Sequence, residues 1–135
     1  MPLVIDAGYN AAMRIQFYDD PIRGLRSREE VRFNQLGLFV YEDEKRVALG
    51  FDITPFSERP SIQVIVKDIE GEEAANLTVI EALQPNFNIT IHLRNESPNG
   101  VYHLEAILYY IEEDGNRQVV DSTKKSFDAT QPGEQ

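Results

Sequence analysis

Hydrophobic and polar residues alternate with a period of two along most of this chain, the signature of half-buried β-strands. Ser61–Lys67 places Ile62, Val64 and Val66 on one face. Phe87–Arg94 alternates most cleanly, with Phe87, Ile89, Ile91 and Leu93 against Asn88, Thr90, His92 and Arg94. Leu77–Ala82 reads as a shorter strand, and Val101–Ile111 as a longer one. Glu112-Glu113-Asp114-Gly115-Asn116 then supplies a turn, its Asp-Gly pair suited to positive φ. Arg117–Phe127 returns as the partner strand, and Lys124 and Lys125 suit a sheet edge, where charge discourages unwanted pairing.

The first half is less regular. Met13–Tyr18 predicts a strand, Asp19–Gly24 a loop punctuated by Pro21 and Gly24, and Glu30–Tyr41 a long strand. The charged turn Glu42–Lys45 leads into Arg46–Ile53 as a hairpin partner, and Thr54–Pro60 is a connection. Glu70–Ala75 is compatible with a short helix, although Gly71 favours a loop. No stretch of ten residues has helical periodicity. Seven to nine short strands with frequent turns predict an all-β protein, an antiparallel two-sheet sandwich, with a closed barrel as the alternative. The expected organisation is a single sandwich domain over 1–128 and a polar tail over 129–135 that frays.

The chain has 135 residues, a formal charge of −10 and no cysteine. That length buries a core without disulfides. Absence of cysteine removes thiolate chemistry and Cys-based metal sites. The acidic balance argues against nucleic acid, whose phosphates need a basic surface. No apolar run is long enough to span a membrane as a helix. Met1–Asp6 lacks the basic and long apolar regions of a signal peptide, so a cytoplasmic location is expected. The sequons at Asn76, Asn88 and Asn95 would matter only in a secreted eukaryotic protein.

Ile89-Thr90-Ile91, followed by Asn99-Gly100-Val101-Tyr102-His103-Leu104-Glu105-Ala106, resembles an immunoglobulin-like domain. In that family an L-T-I strand precedes D-x-G-x-Y-x-C-x-A. Tyr102 stands where the corner tyrosine would lie, Gly100 at the glycine and Leu104 at the second cysteine. The resemblance implies an immunoglobulin-like sandwich in which the Tyr102 hydroxyl bonds backbone just upstream while its ring packs inward. The cysteine pair and tryptophan of antibody domains are absent, and Pro98 replaces the expected acid.

Candidate chemistry is sparse. No serine sits in G-x-S-x-G, and no glycine set forms a phosphate loop. His92 and His103 could lie on neighbouring strands, but no spacing specifies a third ligand, so no metal site is expected there. Acidic clusters at Asp19-Asp20, Glu42–Glu44, Glu70–Glu73 and Glu112–Asp114 read as a solvated surface, with calcium as the alternative if loops converge. No cofactor and no catalytic residue is expected.

The most informative feature is Val101–Ile111, which is apolar on both faces. Tyr102, Leu104, Ala106, Leu108 and Tyr110 suit the core; Val101, Ile107, Tyr109 and Ile111 occupy the opposite face, interrupted by His103 and Glu105. An antiparallel strand with one wet face should alternate more strictly. Either the N-terminal segment Leu3–Tyr18 or the Pro55–Pro60 connection covers that face, or a partner does. The sequence therefore predicts a non-catalytic protein–protein binding or assembly module. Its candidate interface is Val101, Ile107, Tyr109 and Ile111, with Tyr109 near the centre and a protein partner or a second copy as the occupant. A calcium- or carbohydrate-binding accessory domain is the alternative.

Overall fold

A computed structural model describes residues 5–8, 10–12 and 24–135. Ile5–Gly8 (β1) and Asn10–Ala12 (β2) pair antiparallel with one another. The strand expected at Met13–Tyr18 lies outside the described residues. A 3-10 turn at Arg28–Glu30 (η1) then leads into eight strands: Phe33–Val40 (β3), Arg46–Ile53 (β4), Ser61–Asp68 (β5), Glu73–Val79 (β6), Asn86–His92 (β7), Val101–Ile111 (β8), Arg117–Asp128 (β9) and Gly133–Glu134 (β10).

These form two four-stranded antiparallel sheets, ordered β10-β3-β4-β7 and β6-β5-β8-β9, packed as a sandwich. Alternation dictates which residues meet. Leu36, Leu38 and Val40 of β3 pair with Phe51, Leu49 and Val47 of β4, which pair in turn with Phe87, Ile89 and Ile91 of β7. Opposite them, Ile62, Val64 and Val66 of β5 pair with Leu108, Ala106 and Leu104 of β8. The two apolar faces close on each other in one core cluster. Phe51 stacks on Phe87 with centroids 5.0 Å apart, as aromatic neighbours across a strand pair favour.

The sheets are also joined at their β3 and β9 margins. Asp121 Oδ2 accepts the Phe33 N–H (2.9 Å), and the Lys125 ammonium donates to the Leu36 carbonyl (2.9 Å). β9 is an edge strand, where Lys124 and Lys125 were expected. A bulge lies between its Val119 and Asp121 partners: Tyr109 pairs with Val119, but Leu108 with Asp121. Bulges of this kind re-aim every side chain beyond them.

Two expectations need correction. The Glu70–Ala75 stretch is not helical: β6 begins at Glu73, earlier than Leu77, and Ala74 and Ala75 are buried. Asp68 causes the preceding turn, its buried carboxylate accepting the Glu70 and Glu72 N–H groups (2.9 and 3.0 Å). The 129–135 stretch, expected as a loose tail, makes specific contacts with the sandwich. Ala129 is buried, β10 pairs with β3, and the Gln135 side chain bonds Asp128 N–H and carbonyl (2.7 and 2.6 Å).

Candidate functional site

The corner at the start of β8 comes first, because it fixes that strand. The Tyr102 hydroxyl donates to the Asn95 carbonyl (2.5 Å) and accepts from the Ser97 N–H (3.0 Å). Ser97 is itself buried, and its hydroxyl accepts from the Ile69 N–H (3.4 Å). The Tyr102 ring stacks on Phe127 at 5.3 Å. Gly100 has φ +78°, and a Cβ there would come within 2.6 Å of Thr130 and 2.8 Å of Asp128, so only glycine fits. Leu104, two residues on from Tyr102, is in the core.

From this anchor β8 runs between β5 and β9 and presents its odd positions on the outer face. Pairing sets that face out in rows. Ser61, Tyr109 and Val119 form one row, Gln63, Ile107 and Ser122 the next, then Ile65, Glu105 and Lys124, then Lys67, His103 and Ser126. The first end is apolar and the last polar.

At the apolar end the candidate interface residues do not behave alike. Val101 and Ile107 are half-buried and Ile111 is 55% exposed. Tyr109, expected near the centre of an open surface, is instead buried (5% exposed); the Arg117 guanidinium lies 4.0 Å from its ring centroid, a cation–π contact that sequence alternation does not reveal. Exposed apolar residues at this end include Val119 (56%), the β9 partner of Tyr109, and Ile80 and Leu83 (75% each) on the connection after β6; Leu25, Phe39 and Ile69 are exposed elsewhere. That connection is tied to the same end, since Glu81 N–H donates to Ser61 Oγ (3.1 Å) and Ala82 N–H to the Pro60 carbonyl (2.8 Å). Val119, Ile80 and Leu83 were not among the expected interface residues, because the pairing of β9 with β8 and the turn after β6 place them. Of the candidate cover Leu3–Tyr18, the described part is the pairing of β1 with β2.

Round the edge of this end, Arg28 makes a bidentate contact with Glu58 (2.6 and 3.1 Å) and lies over the Tyr110 ring at 4.7 Å. Tyr110 donates to the Glu58 carbonyl (2.9 Å), and its own burial, then the Glu58 charge, push its phenol up to about 12.

At the polar end, His103 Nδ1 and Ser126 Oγ are 2.8 Å apart, a pair that no sequence motif announces. Ile65, Lys67, Glu105, Lys124 and Ser126 line a cavity of about 480 Å3 there together with His103. His92 is elsewhere: it lies on β7 in the opposite sheet, paired with Arg46, so the two histidines are not on neighbouring strands. Among the described residues no three His, Asp or Glu side chains gather to hold a metal. The Glu42–Glu44 turn lies by the Tyr102 corner, sharing a cavity with Ser97 and Gly100, whereas Glu112–Asp114 caps the far end of β8. The two acidic turns do not converge. No helix among the described residues is long and apolar enough to cross a membrane.

These features define an all-β, two-sheet sandwich whose distinctive surface is the outer face of β6-β5-β8-β9. No protein-family model matches the chain, and no curated protein matches it in sequence. Among solved structures it is similar to part of a candidate beta-galactosidase from Bacteroides fragilis (12% identity, TM-score 0.53) and part of a Bifidobacterium dentium beta-glucuronidase complexed with coumarin-3-O-glucuronide (16%, TM-score 0.51). The matches cover 73% and 74% of this chain but only 17% and 18% of those chains. At such identities the likeness is one of fold.

Proposed function

We propose that this chain is a non-catalytic binding module, an immunoglobulin-like sandwich that docks another protein surface, in the first instance a second copy of itself. Strand order supports the architecture. β3-β4-β7 opposite β6-β5-β8-β9 is the arrangement of A-B-E against C′-C-F-G, and Tyr102 occupies the corner at the start of the F-type strand. In both solved neighbours the matching sandwich is a minor share of a larger chain, which agrees with a modular role. Neither supplies a substrate for this one.

The observation that carries the reading is the exposed apolar set Ile80, Leu83, Ile111 and Val119 at one end of the outer face. Exposed large apolar side chains along one end of a sheet are costly in water, and burying them against a partner would recover that energy. With a net charge of −10, copies repel one another at long range, so association depends on local packing and strengthens as salt screens the repulsion.

Sedimentation tests it. Concentration-dependent dimerisation is expected, abolished by Val119→Glu or Ile111→Glu with the circular dichroism unchanged. Tyr109 is not a suitable probe, because a carboxylate at that buried position would destabilise the fold itself. A wild-type chain that stays monomeric at all concentrations and salts would overturn self-association.

A further inference from the structure

We propose that the cavity at the polar end of the outer face is an anion-binding site for a phosphate or carboxylate group, separate from the apolar docking end. Three of the four lysines of this acidic chain line that one cavity, with one of its two histidines. The Lys125 ammonium is committed to the Leu36 carbonyl, which leaves Lys67 and Lys124. Both are exposed, and among the described residues neither makes an ion pair or a side-chain hydrogen bond. They stand on β5 and β9 with β8 between them, in adjacent rows, about 12 Å apart: two strand spacings across and one same-face step along. Flexible four-carbon stems on such bases can converge on one group above the middle strand.

The middle strand supplies oriented donors. His103 lies between Lys67 and Ser126 in one cross-strand row. One proton is shared in the contact between Nδ1 and Ser126 Oγ. If the hydroxyl donates to Nδ1, the imidazole N–H is left on Nε2; if Nδ1–H donates, the serine O–H is left. In either tautomer the pair keeps one donor for a ligand oxygen. Ile65 adds an apolar wall to the cavity. Two carboxylates oppose: Glu73, the β6 partner of Lys67, whose oxygens are engaged by Arg94 and Asn76, and Glu105. Glu105 sits in the cavity, directly across from Lys124, and lowers the affinity without cancelling two ammonium groups. In a molecule of net charge −10, anions have no long-range reason to approach, so occupancy here would come from this local arrangement alone.

Backbone NMR titration of the intact chain with sodium phosphate, and separately with sodium acetate, at constant ionic strength is the test. Saturable shifts confined to Lys67, His103, Lys124, Ser126 and their neighbours are expected with at least one of the two. The stronger anion identifies the ligand group. Replacing Lys67→Gln and Lys124→Gln together should weaken binding roughly five- to thirtyfold, the loss of two surface charge contacts. Glu105→Gln should tighten it, a gain that mere structural support would not give. All three side chains are off the core, and unchanged shifts elsewhere in the variant spectra verify the fold. Absence of saturable shifts with both anions, or equal binding by wild type and the double variant, would overturn the proposal.

Discussion

At the Tyr102 hydroxyl one oxygen serves two backbone groups, the Asn95 carbonyl and the Ser97 N–H. Tyr102→Phe removes the hydroxyl that both backbone groups share and leaves them without it. The expected loss is about 1–3 kcal/mol, the penalty for an unsatisfied buried group. A lower urea midpoint with an unchanged slope would show it. Tyr110 gives a different kind of dependence. Its phenol is held up at about 12 against an ordinary 10.0, first by burial and second by the Glu58 charge. The unfolded chain therefore gives up this proton at lower pH than the folded one. Stability linked to Tyr110 is complete below pH 10 and is lost as pH rises from there toward 12. Alkaline unfolding of Tyr110→Phe should be flatter across that window than that of the wild type; parallel curves would contradict the assignment.

The strands themselves carry the register that isolated residues cannot. At the bulge in β9, the turn-proximal pairs Ile111–Arg117 and Tyr109–Val119 would, if simply extended, set His103 against Lys125. The inserted Val120 moves every later pair by one, so His103 meets Ser126 and Lys125 turns inward to Leu36. Lys125→Met keeps the stem and removes the ammonium. It should cost about 1 kcal/mol in denaturant unfolding, because the Leu36 carbonyl loses its donor, while Lys124→Met should be near neutral in stability. This bulge also marks how far the sequence could be read. β4 and β7 are legible because their large apolar residues alternate strictly where one face is buried, and β5 and β8 because their runs of β-branched and aromatic residues are bounded by turns. The Tyr102 corner is legible because the need for glycine and tyrosine there is local. β6 is not, since Ala74 and Ala75 are small, helix-favouring residues that β5 and the core recruit by contact. The polar cavity is hidden for the same reason as the His103–Ser126 pair: its residues meet only through a register that one extra residue decides. Tyr109 was legible as apolar but not as covered, because the cover is a charged side chain, Arg117.

Across the whole molecule, acidic turns at both ends of the sandwich surround a sheet face that is apolar at one end and basic at the other. The two sheets are assembled from different kinds of pairing. β3–β4, β5–β6 and β8–β9 are hairpins that close locally, but β4–β7, β5–β8 and β10–β3 join distant parts of the chain, at the nearest Asp52 with Asn86, Asp68 with Tyr102 and Gly133 with Val40. That inventory bears on speed rather than stability. Each hairpin can form within microseconds, yet none can bury its apolar face until a long loop has been closed in the absence of any rewarding contact. A chain wired this way should refold in roughly milliseconds to seconds. Stopped-flow refolding finished in microseconds would be at odds with that wiring. Substitutions that thin the core at β8, such as Leu104→Ala, should slow refolding more than equally destabilising ones at the tips of β3 and β4. The strand that carries the corner, the covered tyrosine and the basic cavity is then also the one on which the rest of the sandwich waits.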